Sequence, residues 1–317
     1  MTDSLPIIDM RRWTQGSLAE RVSVAFEVDQ ALRTFGFLLL SEHGVPVSMT
    51  AATRDAGRAF FALPTEQKAV YTTTVGGYGW IPPGAEANSY ASGQASPPDL
   101  KETFASRLPA GEVATWNTKQ ASMPWPAEVA GIEETVSSYL RTMQGLASTL
   151  LEMFGCALGL DESALTRYAM PPAASMNINH YPSMRVTGEP APGQFRIGPH
   201  TDFGVVTILD RQPGYGGLQI RLLDGTWVDA PYVPGAYTIN IGDLLARWTG
   251  DRWRSTPHRV LPPSIEDADE DLVSLVYFFS ANPLALIETL PVGGPKTYAP
   301  IVAHEYIKSR LALIDVA

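Results

Sequence analysis

Apolar positions recur at helical spacing through the first half of the chain and contract after Met170 into runs of a few residues separated by turn residues. Ser17-Leu-Ala-Glu20 has the form of a capping box, and the run behind it predicts a helix with Leu18, Val22, Ala25, Phe26 and Leu32 on its packed side. Gly36 breaks that helix, and residues 37–40 read as a short, continuously apolar strand. Residues 46–61 predict a further helix. Residues 126–160 predict one or two long ones, with Gly131, Gly145 and Gly155 as weak points. Residues 75–98 follow neither period. Gly, Pro, Ser and Asn dominate there, with Tyr78, Trp80 and Tyr90 interspersed, which predicts a lid or pocket wall rather than a plain connector.

The second half is patterned as short strands. Runs at 175–181, 205–209, 217–222, 226–229, 236–241, 258–261 and 272–279 alternate with Pro213-Gly214, Gly216-Gly217, Asp224-Gly225 and Pro234-Gly235. That spacing predicts a sandwich or barrel, a jelly roll among the options. Composition narrows the partners. Of 317 residues 45% are apolar, which excludes a disordered chain, and 23 Lys and Arg against 33 Asp and Glu leave a net charge of −10. Such a surface repels phosphate backbones and anionic lipid, so a small-molecule ligand is expected and neither nucleic acid nor membrane. The longest apolar runs fall well short of the ~20 residues that cross a bilayer, and no cationic-then-apolar segment opens the chain. A cytoplasmic protein is expected. The single cysteine, Cys156, reads as a buried small hydrophobe in a reducing compartment.

Five histidines are available: His43, His180, His200, His258 and His304. In an extended segment residues two apart project to the same side, so His200 and Asp202 can converge on one point. His258 opens a later strand. Two imidazoles and one carboxylate leave positions open on an octahedral ion, which is the ligand set of non-haem Fe(II) oxygenases. His-x-Asp alone is also the pattern of a surface hydrogen-bonded pair, and spacing does not choose between the two.

The neighbouring motifs do. Pro6-Ile-Ile-Asp9, Thr34-Phe-Gly-Phe-Leu-Leu-Leu-Ser-Glu-His-Gly-Val-Pro46, Gly77-Tyr-Gly and Asp99-Leu-Lys-Glu-Thr-Phe104 precede a second series. That series is Asn179-His-Tyr-Pro182, Gly198-Pro-His-Thr-Asp-Phe-Gly204, Gly217-Leu-Gln219, Gly242-Asp243 and Arg254-Ser-Thr-Pro-His-Arg-Val260. In this order, almost end to end, they resemble the isopenicillin N synthase-like branch of the Fe(II)/2-oxoglutarate-dependent dioxygenases. The resemblance implies an α+β, mainly β fold: a double-stranded β-helix (jelly-roll) core with N-terminal and flanking helices. It divides into an N-terminal region, 1–110, and a core, 111–317, within one structural unit. It implies Fe(II) on His200, Asp202 and His258, with O₂ and 2-oxoglutarate as co-substrates. Oxidation of a small specialised metabolite, by hydroxylation, desaturation or cyclisation, would accompany decarboxylation to succinate and CO₂.

By the same resemblance Asn179 and Tyr181, two apart and on one side of a strand, line the co-substrate or substrate site. An ordinary strand pair is the plainer reading of both. His180 faces the other way, His43 lies in a structural turn and His304 in a solvated C-terminal segment. Tyr78, Trp80, Tyr90 and Phe203 are candidates for an aromatic-lined substrate pocket, or for core packing. One departure stands out. Relatives carry Arg-x-Ser on the late strand, the arginine clamping the distal carboxylate of 2-oxoglutarate. Here Ser274 matches the serine and Leu272 falls where the arginine belongs. A buried carboxylate without its charged partner costs about 3–5 kcal/mol. Arg196, Arg254 or Arg259 can supply the charge instead. Otherwise the enzyme takes a less polar oxo acid, or is a 2-oxoglutarate-independent Fe(II) oxidase like isopenicillin N synthase. A catalytically silent ligand-binding homologue is the reading from another class. The intact triad argues against it.

Overall fold

The structure, a computed structural model, describes residues 4–114 and 122–316. Strand β1 (Ile7–Asp9) leads into the short helix α1 (Met10–Thr14), and the capping box then opens α2 (Leu18–Thr34). The Glu20 N–H donates to Ser17 Oγ at 3.4 Å while the Ser17 N–H donates to Glu20 Oε2 at 2.7 Å. The packed face of α2 is Val24, Ala25, Val28, Ala31 and Leu32, whereas Leu18, Val22 and Phe26 are 78%, 62% and 65% exposed. The expected stripe is therefore corrected. Apolar residues flank both sides of this helix, and the side that meets α5 (Ile132–Ala157) wins. Gly36, at φ +67°, takes the left-handed turn that ends the run, because the Arg254 carbonyl oxygen occupies the space beside its α-carbon.

The remaining elements are β2 (Phe37–Ser41), α3 (Val47–Phe61), α4 (Thr65–Ala69), β3 (Gly79–Ile81) and β4 (Glu102–Ser106). Beyond α5 come α6 (Ser163–Ala169), β5 (Ala173–Tyr181), α7 (Met184–Thr187), β6 (Ile197–His200), β7 (Val206–Asp210), β8 (Leu218–Arg221) and β9 (Trp227–Asp229). Then follow β10 (Tyr237–Ile241), α8 (Asp243–Trp248), β11 (His258–Val260), β12 (Leu272–Ser280), β13 (Leu286–Ile287), β14 (Ile301–Val302) and α9 (Ala303–Ile314). All the β runs expected after Met170 are present. So are the helix at 46–61 and the strand at 37–40. Residues 126–160 hold one long helix. The stretch 75–98 is more ordered than its composition suggests, containing β3 and a 3₁₀ turn at Asn88–Ser92.

Two sheets form the jelly roll. The larger runs β1-β2-β10-β7-β12-β5-β4-β3, and the smaller β6-β11-β8-β9. The N-terminal strands thus sit at both edges of the large sheet, around the strands of the core region. Alternation along each strand gives the large sheet two unlike faces. Leu38, Leu40, Met176, Ile178, Val206, Ile208, Ile239, Leu275, Tyr277 and Phe279 join α2, α3 and α5 in one apolar core. The other face, with Asn177, Asn179, Thr207, Asn240, Val276 and Ser280, lines a cavity. At one end of that cavity Phe37 and Leu39 of β2 pack on Leu218, Ile220 and Val260 of the small sheet. Cys156 is only half-buried at the rim of α5, not in the core as expected. Among the described residues no helix is long and apolar enough to cross a membrane.

Ile178 is fully buried between β5 and the helices, and truncating it leaves a void that close-packed neighbours cannot refill. Ile178→Ala should lower unfolding free energy by about 2–5 kcal/mol in urea titration. A loss below half a kcal/mol would contradict the packing described.

Candidate metal centre

β6 delivers His200 at its last residue, and the chain turns immediately afterwards through Asp202. β11 runs antiparallel to β6 with His258 opposite His200. Directly paired residues share a face, so the register alone brings the two imidazoles together, ring centroids 4.3 Å apart. His200 Nε2 lies 3.8 Å from Asp202 Oδ1, and His258 Nε2 lies 3.9 Å from the same oxygen. All three ligand atoms fall within 4.8 Å of one another. They are the one such group of His, Cys, Asp and Glu among the described residues.

Each donor is oriented by a second contact. His200 Nδ1 bonds the Gly198 carbonyl at 2.8 Å and His258 Nδ1 the Thr256 carbonyl at 3.1 Å. Those carbonyls can only accept, so each Nδ1 carries the proton and each Nε2 lone pair points to the shared centre. Burial lowers the pKa of both imidazoles and keeps them neutral, as ligation requires. Burial opposes the charge on Asp202, but the two imidazoles and its hydrogen bonds outweigh that and lower its pKa. Its Oδ2 accepts from Thr207 Oγ1 and from Asn240 Nδ2, both at 2.6 Å, which leaves Oδ1 for a cation. Donor chemistry, tautomers and spacing fit a divalent ion that accepts nitrogen and oxygen ligands.

The turn bearing Asp202 is clamped from below. The Asp243 N–H donates to the Asp202 carbonyl at 2.7 Å, and a side chain at Gly242 would collide with the Gly204 backbone. Asp243 also ties the centre to the C-terminal helix. Its carboxylate accepts from Tyr306 Oη at 3.0 Å and lies 3.8 Å from Arg310 Nε. Ile307, Leu311 and Ile314 of that helix then close one wall of a cavity of about 230 Å³.

The expected pocket residues separate. Tyr78 and Phe203 line this cavity, as do Asn179 and Tyr181. Trp80 does not, because it projects to the helix side and donates its indole N–H to buried Glu102 at 2.8 Å. Tyr90 does not either, being 41% exposed. Ser274 is buried behind Tyr181, Oγ to Oη 3.4 Å, and Leu272 is half-buried at the strand end; neither lines the cavity. Of the alternative cations, Arg254 donates to the Thr34 carbonyl at 2.8 Å. Arg259 donates to Gln219 Oε1 and stacks over Trp227. Both point away from the cavity. Arg196 is buried with its guanidinium 5.5 Å over the Tyr181 ring, paired to Glu270 at 2.5 Å.

The other histidines sit elsewhere. His43 stacks on Tyr237, and His180 bridges Glu102 and Asp271 at 2.9 Å each. His304 is not solvated as expected. It opens α9, half-buried, with Nδ1 on the Pro283 carbonyl. Sequence reading missed Lys101 and Glu86, a buried ion pair in the cavity wall. The available signal was Asp99-Leu-Lys-Glu-Thr-Phe104, whose second half opens β4.

Residues 5–128 match the family model described as non-haem dioxygenase in morphine synthesis N-terminal, and residues 172–281 match that of the 2OG-Fe(II) oxygenase superfamily. The chain is similar to validamycin A dioxygenase of Streptomyces hygroscopicus subsp. limoneus, 40% identical over 93% of this chain and 82% of that one. It is 30% identical to a 2-oxoglutarate-Fe(II) type oxidoreductase of Emericella nidulans, over 96% and 88% of the two chains. A Neurospora crassa protein crystallised in complex with alpha-KG superposes with a TM-score of 0.84 at 26% identity, covering 98% of each chain.

Replacing His200 or Asp202 with Ala should abolish stoichiometric Fe(II) binding in anaerobic metal titration. Asn240→Leu removes one of the two hydrogen bonds that hold Asp202 Oδ2 and should weaken the metal by about 10–100-fold. Unchanged stoichiometry in both alanine variants would refute the centre.

Proposed function

This chain belongs to the 2OG-Fe(II) oxygenase superfamily, and on that premise we propose that it couples 2-oxoglutarate turnover to hydroxylation, desaturation or ring closure of a small specialised metabolite. His200, Asp202 and His258 hold the Fe(II). The observation carrying this reading is the convergence of three ligand atoms at the wall of a cavity. Three protein ligands leave room on an octahedral ion for a chelating oxo acid and O₂. Bound there, Fe(II) supplies oxygen-activating chemistry that no side chain provides.

The chain's own residues do the positioning. Thr207 and Asn240 hold Asp202 in one rotamer, and Asn179 and Tyr181 offer polar contacts to whatever lies beside the metal. Phe203, Ile307 and Leu311 exclude water from the reacting carbon. Ala173, Ala174, Val276 and Phe278 add apolar wall, so the substrate is a compact molecule with an apolar flank. Similarity to a dioxygenase of validamycin A supports a small-molecule substrate. Leu272 favours a second reading, an Fe(II) oxidase that draws its electrons from substrate and uses no oxo acid.

Fe(II)-reconstituted protein should consume O₂ and 2-oxoglutarate together and release succinate, faster when a substrate is added. The Asp202→Ala variant should do neither. O₂ uptake that needs an organic substrate but ignores 2-oxoglutarate would establish the oxidase. No uptake at all by metal-loaded protein, across a metabolite panel, would support a silent binding protein.

A further inference from the structure

A 2-oxo dicarboxylate that chelates the metal through its oxo-acid end carries a second carboxylate into the cavity. Among the described residues lining that cavity, Lys101 bears the one positive side chain. The strand register says where it stands. Glu102 pairs with His180 and Thr103 with Asn179, which brings Lys101 alongside Tyr181. Tyr181 in turn pairs with Leu272, and Asn179 with Ser274. Lys101 stands one residue before β4, so the register continued by that residue puts Lys101 in line with Tyr181 and Leu272, and Thr103, Asn179 and Ser274 form the next row across β4, β5 and β12. The rows are connected. Lys101 Nζ donates to Thr103 Oγ1 at 2.9 Å, Thr103 Oγ1 donates to Asn179 Oδ1 at 2.9 Å, and the Ser274 hydroxyl meets Tyr181 Oη at 3.4 Å.

Lys101 is buried, and its resident partner is the Glu86 carboxylate, itself in the cavity wall. Arg196 is the nearest rival, but it stands over the ring of Tyr181, outside the cavity lining, with Glu270 as its partner. Resting on the 2-oxoglutarate reading above, we propose that Lys101 anchors the distal carboxylate of the oxo acid, with Tyr181 as its hydrogen-bonding neighbour and Glu86 as the competing internal anion. The ammonium compensates for the apolar Leu272 from two strands away. Burial raises the Tyr181 pKa and keeps its hydroxyl protonated as a donor.

The pair makes opposite predictions for its two members, which a purely structural ion pair does not. The probe is anaerobic Fe(II) protein titrated with 2-oxoglutarate and with 2-oxopentanoate, which lacks the distal carboxylate, following the metal-to-ligand absorption band. Wild type should prefer 2-oxoglutarate. Lys101→Met should erase that preference, weakening 2-oxoglutarate by about 10–100-fold and leaving 2-oxopentanoate unchanged, while Lys101→Arg keeps most of it. Glu86→Gln should tighten 2-oxoglutarate by several-fold, and this arm decides if Lys101→Met does not fold. Arg196→Met should leave the preference intact. The proposal is overturned if Lys101→Met retains the preference, the result expected if Lys101 holds a substrate carboxylate instead. It is equally overturned if Glu86→Gln weakens binding, or if Arg196→Met alone abolishes the preference. A wild type showing no band with 2-oxoglutarate would overturn the co-substrate reading itself, and the anchor with it.

Discussion

A β-strand shows its residues alternately to two sides, and in this molecule the two sides of one sheet serve opposite purposes. The helix side needs continuous apolar contact with α2, α3 and α5, which the odd-numbered residues of β12, from Val273 to Phe279, provide. The cavity side can then carry polar groups, such as Ser280 of the same strand and Asn179 of its neighbour β5. A one-residue slip would send Asn179, Tyr181 and Thr207 into the helix layer and expose Ile178 and Ile208. Apolar burial on one face therefore fixes the position of every functional side chain on the other.

Polar groups on that face survive because they are paired. Asp202 has both imidazoles, Thr207 and Asn240; Lys101 has Glu86; Arg196 has Glu270. A buried pair seldom adds net stability over an apolar replacement, so their worth lies in positioning and in the capacity to exchange partners. The metal ligands are fixed by hydrogen bonds that a cation leaves intact. The Lys101–Glu86 pair differs, since its ammonium faces open cavity and can meet a second anion. The C-terminal helix adds to the enclosure through Asp243, whose carboxylate holds Tyr306 while its backbone N–H holds the turn carrying Asp202.

The metal ligands were legible because a short-range signal, His-x-Asp, sat inside ordered motifs, and the β runs because turn residues bracket them. What stayed hidden has specific causes. β3 and β4 are short, and Glu102-Thr-Phe104 puts a charged and an apolar residue on one face, so no alternation marks it as a strand. Trp80 looks like a pocket aromatic in one dimension, yet strand parity turns it toward Glu102. Leu18, Val22 and Phe26 form a better stripe on paper than the face that packs, because which side of α2 meets α5 is a tertiary matter. Residue type located the chemistry. Parity and register, which need the partner strand, assigned it.

The row through Lys101, Tyr181 and Leu272 shows why a missing residue is weak evidence of a missing function. A carboxylate needs a counter-charge at a point in space, and a sheet offers that point to several strands at once. Neighbouring strands lie ~4.8 Å apart, so two strands span ~10 Å, and a long side chain from either end reaches toward the middle. Tyr181 stands in the middle of this row, with a hydroxyl that serves a ligand held from either side. An arginine at 272 would approach from β12. The ammonium at 101 approaches from the residue that precedes β4, already desolvated and held by Thr103. The difference lies in the counter-ion: Glu86 shares Lys101 with any incoming anion, so affinity for the oxo acid is set by competition between two carboxylates for one charge.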